Sequence, residues 1–225
     1  MILGYKEIHK EDFQKLLKNG YSEIILFLPI SHMHRFKGIA IKDFSNTKYQ
    51  KLREFMFEFF PDDHPLRKEE EIDIHTFIYY LKEAFSFDNK YFTTSYYIQR
   101  DKANFNALFF ISSIIYGMEK ILEVKWELDN LTGKGYSIGQ DCLNNQILLP
   151  GFQDNQFEKE LKTFLENNLN VSNMDLYEFT ILNEHLPTHT NKLLKKWQNE
   201  KVLSIYDTQE NKPALKNSTY IHYKY

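Results

Sequence analysis

Residues 23–30 read "EIILFLPI", an apolar run that follows Glu23 and has the length of one β-strand. An apolar run without alternation is typical of a strand that is buried on both faces, in the middle of a parallel sheet covered by helices. A short helix is predicted before it, over residues 10–19, and the Asn19-Gly20 pair favours its end. Met1-Ile2-Leu3 resembles the last part of another buried strand. The region therefore predicts a strand, a helix and a second strand.

The following segment predicts helices and then a pair of strands. Ser31 is placed to cap a helix directly after the apolar run. The spacing of apolar residues predicts three helices, over 48–60, 70–85 and 114–130. Residues 91–100 and 105–113 predict an antiparallel hairpin with a short polar link. Together these elements indicate an α/β fold, the C-terminal half of a class I methyltransferase-like (Rossmann-like) sheet. Residues 23–30 would be its fifth strand, with one strand of the hairpin antiparallel beside it.

The last third of the chain predicts a separate domain. Helices are expected over 155–168, 175–183 and 186–201, with Thr188 as N-cap of the third. Two strand-like runs, "VLSIYD" and "STYIHYKY", flank a polar segment after them. This order is typical of a winged helix, in which the third helix is the recognition element. We therefore predict two domains, 1–150 and 153–225.

Composition and charge narrow the classes of protein. The 8 glycines and 6 prolines among 225 residues disfavour a repeat or all-β architecture. The one cysteine, Cys142, rules out a disulfide within this sequence and favours a reducing cytoplasm. No apolar run has the roughly 18 residues that a membrane helix requires. The net charge of −3 divides into +4 over residues 187–225 and −7 before them, which predicts different partners for the two parts.

Several stretches together resemble the three-Cys-motif partner (TcmP) family. They are "GYKEI", "SEIILFLPISHMHRF", "NALFFISSIIYGMEKILEVKWELD" and "LPTHTNKLLKKWQNEKVLSIYD…YIHYKY". The resemblance implies a class I methyltransferase-like fold with a winged-helix-like C-terminus, in bacterial mobile-element or defence-associated settings. The family's biochemical activity is not established.

The sequence departs from this family pattern at its beginning. The resemblance implies a glycine-rich, cofactor-binding N-terminal half and an Asp-Pro-x-Gly-Tyr pattern. Here Met1 stands at the Asp and Ile2 at the Pro, and no glycine-rich turn is present. We therefore expect a truncated or split protein that does not catalyse alone, with no cofactor. S-adenosylmethionine is expected only if another polypeptide supplies the missing half.

Two groups of residues are candidate strand-end ligands, because open α/β sheets bind ligands at the carboxyl ends of their strands. They are Gly4, Tyr5 and Lys6, and Ser31, Arg35 and Phe36. The alternative for each group is a purely structural role. His32 and His34 lack the third and fourth ligands of a metal site, so no metal is expected. A nuclease alternative, Asp62 with Glu123 and Lys125, is disfavoured because that chemistry requires adjacent strands.

The C-terminal region carries the main functional hypothesis, which is contact with nucleic acid. The candidate residues are His189, Asn191, Lys192, Lys195, Lys196, Lys201, Lys212 and Lys216. Lysines provide affinity for phosphates that does not depend on base sequence, and Asn191 suits a base edge. The absence of arginine disfavours strong base recognition. The alternative is a protein-binding or purely structural winged helix with a solvated lysine face, and a three-Cys-motif neighbour is one expected partner. The strand stub at residues 1–3 would leave an unpaired sheet edge in the first domain, which favours covering by a polypeptide that supplies the missing half or by a second copy.

Overall fold

The computed structural model describes residues 8–68, 71–101, 104–137, 155–168, 171–206 and 222–224. These residues form a mixed α/β protein with eight α-helices and two sheets. The chain divides into two compact units, residues 1–144 and 145–225. In the part of the chain that is described, no helix is both long and apolar enough to cross a membrane.

The first unit contains five helices and one sheet of four strands. Its helices are α1 (Lys10–Leu17), α2 (Ile30–Lys42), α3 (Gln50–Phe59), α4 (Ile74–Ser86) and α5 (Ile115–Leu128). Its strands are β1 (Glu23–Leu28), β2 (Phe92–Gln99), β3 (Phe105–Ser112) and β4 (Gly135–Ser137). Asp73 caps α4 by accepting the backbone N–H groups of His75 and Thr76, which places the start of this helix later than predicted.

The sheet has the strand order β1-β3-β2-β4. β2 and β3 are antiparallel over their whole lengths, so the predicted hairpin is confirmed. β3 also pairs antiparallel with β1, and β4 pairs parallel with β2. β4 was not predicted, because three residues that begin with a glycine show no periodic pattern. A Cβ at Gly135 would lie 2.4 Å from Cγ of Tyr97, so this position has no room for a side chain.

The core of the first unit lies on one face of the sheet, beneath α1 to α4. Alternate residues of the strands point into it, including Leu26, Leu28, Ala107 and Phe109. Phenylalanine rings from two helices and one strand meet there. Phe13 stacks on Phe85 at 5.6 Å, and Phe85 meets Phe109 edge-on at 5.1 Å. Full burial of each ring contributes about 2–3 kcal/mol to the stability of the fold.

The prediction that the apolar run is buried on both faces is wrong for its first half. Glu23 is exposed, and Ile25 keeps 53% of its surface exposed. Both residues lie on the sheet face opposite the α2–α4 core, where α5 packs over β2, β3 and β4. The only partner of β1 among the described residues is β3, which is antiparallel, so a parallel mid-sheet position is not observed.

The cap predicted at Ser31 is also wrong. α2 begins at Ile30 after Pro29, and the Ser31 hydroxyl instead accepts the backbone N–H of Phe105 at 2.7 Å. This bond ties α2 to the start of β3. At the other end of α2, the buried Arg53 guanidinium donates to four backbone carbonyls, those of residues 40, 43, 44 and 46.

The second unit contains three helices and three short strands. They are α6 (Asn155–Asn167), β5 (Val171–Ser172), α7 (Asn173–Leu182), α8 (Pro187–Asn199), β6 (Ser204–Tyr206) and β7 (His222–Lys224). The strand order is β5-β7-β6, and both pairings are antiparallel. β5 was not predicted, since two residues carry no pattern. Ser172 and Asp175 form a reciprocal capping box that begins α7.

The predicted N-cap of α8, Thr188, is wrong by two residues. Leu186 holds that position and Pro187 occupies the first helical turn, where its missing N–H costs nothing. Both α7 and α8 end with two backbone bonds that close over a left-handed residue, Glu184 (φ 59) and Lys201 (φ 62). Glycine usually occupies this position, so neither end was marked in the sequence.

Candidate nucleic-acid interface

The third helix of the second unit, α8, has one buried side and one exposed side. Thr190, Leu194 and Trp197 are buried against the rest of the unit. The opposite side presents exposed residues one turn apart: Thr188, Lys192, Lys195 and Asn199. No acidic residue lies between Pro187 and Asn199. The exposed side is therefore polar and cationic along the whole helix.

The predicted lysines of this region differ in their surroundings. Lys192 and Lys195 are exposed and make no ion pair with any residue that the structure describes. Lys196 is bonded to Glu158 of α6, with 2.8 Å between Nζ and Oε1. Lys201 is exposed in the turn that ends α8. Two lysines therefore remain available to an anion on the helix itself.

Lys212 and Lys216 lie outside the described residues. The structure consequently does not place the predicted contribution of the polar segment between β6 and β7.

His189 and Asn191 are less suited to phosphate than predicted. The Nδ1 atom of His189 accepts the N–H of Leu186 at 3.4 Å, which helps to cap α8. Burial, with smaller effects of His185 and Lys192, lowers the pKa of His189 to about 4, so the ring is neutral at neutral pH. The Oδ1 atom of Asn191 is buried and has no hydrogen-bond partner among the described residues.

Charge is unevenly distributed within the second unit. Residues 155–184, which contain α6 and α7, carry six acidic residues and two lysines, a net charge of −4. α8 carries three lysines and no acidic residue, a net charge of +3. An anionic partner is therefore attracted to α8 and repelled by the first two helices.

The predicted strand-end residues are only partly placed. Gly4, Tyr5 and Lys6 lie outside the described residues. Arg35 is exposed and makes no ion pair with a described residue. Phe36 stacks on Tyr49 with 4.8 Å between ring centroids, so its main role is packing.

The two histidines in this stretch do not converge on a common site. His34 is hydrogen-bonded to the carbonyl of Ile72 at 2.5 Å, whereas His32 packs against Phe36. Among the described residues, no three metal-binding side chains lie close enough together to hold an ion.

One aromatic cluster at the same edge of the sheet was missed. Tyr97 and Phe105 stack at 5.2 Å, and the exposed His75 ring contacts both edge-on. Burial raises the pKa of Tyr97, so its phenol is neutral at physiological pH. The three residues lie far apart in sequence, and no local pattern connects them.

The residues of the nuclease alternative do not lie on adjacent strands, which that chemistry requires. Glu123 and Lys125 both lie in α5, not on adjacent strands. Glu123 pairs with Lys120 at the surface, whereas Lys125 is buried and hydrogen-bonded to Thr94. Asp62 is exposed and paired with Arg67.

Comparison with known protein families, curated proteins and solved structures found no match for this chain. The fold and the site therefore define its class: a mixed α/β protein of two units, whose second unit exposes a cationic helix.

Proposed function

We propose that the second unit is a winged helix that binds duplex nucleic acid through α8. The observation that carries this proposal is the pair of exposed lysines, Lys192 and Lys195, on a helix that has no acidic residue. Neither lysine is neutralised by a described carboxylate, so both are available to phosphates.

The order of elements supports the same proposal. Helix, strand, two helices and two strands follow each other, with the last strand between the other two in the sheet. This is the arrangement expected of a winged helix whose wing is the segment joining β6 and β7. In such domains the third helix enters the major groove. α8 has 13 residues and is about 20 Å long, and the diameter of an α-helix with its side chains, about 10–12 Å, suits a groove about 12 Å wide.

The chemistry favours affinity over sequence selectivity. Lysine ammonium groups contact phosphates as point charges and release counterions, so binding weakens steeply with salt. The second unit contains no arginine, the residue that most often reads guanine. We expect a Kd of roughly 1–100 μM at physiological ionic strength, with little preference among duplex sequences.

For the first unit, we propose a class I methyltransferase-like sheet and membership of the TcmP family. β3 lies between β1 and β2 and is antiparallel to both, which is the arrangement expected when these are the seventh, fifth and sixth strands. No glycine-rich turn for S-adenosylmethionine occurs in this sequence, so we assign no catalytic step to the chain. Its proposed role is to present nucleic acid to a methyltransferase-like system, which a protein partner would complete.

Fluorescence anisotropy with a labelled 20-base-pair duplex tests the proposal over a series of salt concentrations. We expect the Lys192→Ala/Lys195→Ala variant to bind more weakly and to reduce the slope of log K against log salt by about 2. The matched control is Lys159→Ala/Lys162→Ala on α6, which removes the same charge from exposed positions. An equal loss of duplex affinity in both variants would show that only the net charge of the chain matters, and not the position of the lysines on α8. No binding by the wild-type chain would favour the alternative, a winged helix that binds protein.

A further inference from the structure

A second surface of this unit is a groove beside α7. Its lining includes Phe164, Val171, Asp175, Glu178, Phe179 and Leu182, and its volume is about 540 Å³. We call it the acidic groove. None of the described residues that line it is assigned to nucleic-acid contact.

The floor of the acidic groove is apolar and open to solvent. The rings of Phe164 and Phe179 stack there at 4.4 Å, and Leu182 keeps 56% of its surface exposed. α7 also buries Leu176 and Ile181 on its inner side, so it is apolar on both sides. A helix with a second apolar side is typical of one that binds another element.

The rim of the groove is negatively charged. Glu178 is exposed and makes no ion pair with a described residue. Asp175 accepts the N–H of Ser172 at 2.9 Å and its hydroxyl at 2.7 Å, and its side chain lines the groove together with Leu182. No lysine or arginine lies among the lining residues that the structure describes. The groove thus combines an apolar floor with negative charge that no described lysine or arginine of its lining offsets.

We propose that the acidic groove binds a cationic amphipathic helix of a partner protein. Apolar side chains at positions i, i+3 or i+4 and i+7 would cover Phe164, Phe179 and Leu182. Lysine or arginine beside that stripe would meet Glu178 and Asp175. Charge complementarity selects this occupant, because an acidic or uncharged helix would leave the two carboxylates without a cationic partner at the edge of an apolar contact.

Two other occupants fit less well. A second copy could offer its own α8, but the exposed side of that helix is polar and would leave the floor uncovered. A small molecule requires an enclosed site that buries most of its surface, whereas Leu182 lies more than half exposed. The proposal goes beyond nucleic-acid binding and does not depend on it.

The test is a selection from a displayed library of random 18-residue helical peptides against the full chain. The library is first depleted on the Leu182→Lys variant, which places a cation on the floor. Enriched peptides are expected to carry lysine or arginine beside an apolar i, i+3/i+4, i+7 stripe, and few acidic residues. Their affinity is expected to fall at least tenfold for Leu182→Lys, the effect of losing a central apolar contact.

A matched control separates the groove from general surface chemistry. Met174→Lys makes the corresponding change on the same helix, at a residue 54% exposed that does not line the groove, and is expected to retain peptide affinity. Acidic or neutral consensus peptides, no enrichment, or equal loss in both variants would overturn the proposal. The proposal would also be overturned if the wild-type chain self-associates in sedimentation experiments and the Leu182→Lys substitution abolishes this self-association. The occupant of the groove would then be a second copy of the chain. The Leu182→Lys variant should keep the duplex affinity of the wild-type chain. Peptide binding and nucleic-acid binding can therefore be tested separately, and the failure of one proposal does not decide the other.

Discussion

A buried pair of threonines, one in α7 and one in α8, gives the first prediction. Replacing both should destabilise the second unit less than replacing one of them. The hydroxyls of Thr180 and Thr190 lie 2.7 Å apart, and both residues are fully buried. The Thr180 hydroxyl donates its one hydrogen to the carbonyl of Leu176 at 2.6 Å. Thr190 must therefore be the donor between the two threonines.

This direction makes the single substitutions unequal. Thr190→Val removes a donor, while Thr180 keeps its bond to Leu176, so we expect a loss of about 1 kcal/mol. Thr180→Val removes the acceptor and leaves the buried Thr190 hydroxyl without its partner, which costs about 1–3 kcal/mol. The double valine variant replaces both groups by apolar ones of the same shape. We expect it to be more stable than Thr180→Val alone, by at least about 1 kcal/mol.

The assay is urea unfolding followed by tryptophan fluorescence. The chain has two tryptophans: Trp197 is buried in the second unit, and Trp126 is half-buried in the first. A Trp126→Phe background makes Trp197 the only fluorescent reporter. The variants can be compared if the slope of the unfolding free energy against urea concentration is the same in all of them. If the loss of stability in the double variant equals the sum of the two single losses to within about 0.5 kcal/mol, the assigned donor and the coupling are refuted.

Three further predictions concern other sites. Arg53→Lys should destabilise the first unit by about 2–4 kcal/mol, read from Trp126 in urea, because one ammonium cannot replace the guanidinium on four carbonyls. The second unit should lose stability as the pH falls from about 6.5 towards 4, since burial lowers the pKa of His189 and the unfolded chain therefore binds its proton first. His189→Gln should flatten this pH dependence of the Trp197 transition, and a slope that persists would assign it to another group. Lys201→Gly should stabilise the second unit by about 1 kcal/mol by relieving a left-handed backbone, whereas Lys201→Ala should not.

Local sequence patterns predicted the long elements of the fold. The hairpin of β2 and β3 and the helices around α4, α5 and α6 occupy almost the predicted ranges, because each has at least eight residues with a clear apolar period. β4 and β5 are too short to show any period and exist only through their partners. The exposure of Ile25 could not be predicted either, since an apolar run does not indicate whether helices cover both faces of a strand.

In the candidate site, too, the features set by local sequence pattern were predictable, and those set by tertiary contacts were not. The exposed lysines of α8 were predictable from helical spacing, because Leu194 and Trp197 fix which side is buried. The neutral state of His189 was not predictable, since it depends on the packing of α8 against the preceding turn. The acidic groove was missed because its floor joins Phe164 of α6 to Phe179 of α7, two residues that each look like ordinary core positions in their own helix.

The strand order of the second unit also constrains its biosynthesis. β7 lies between β5 and β6, although it is synthesised after both. β5 has to wait for a partner about 50 residues further along the chain, and β6 for one about 18 residues further. During translation the three helices therefore emerge with an unfinished sheet, and closing the longer connection costs about 3–4 kcal/mol of chain entropy. A ribosome that pauses before residue 222 would hold a helical intermediate with unpaired strand edges, the kind of species that chaperones recognise.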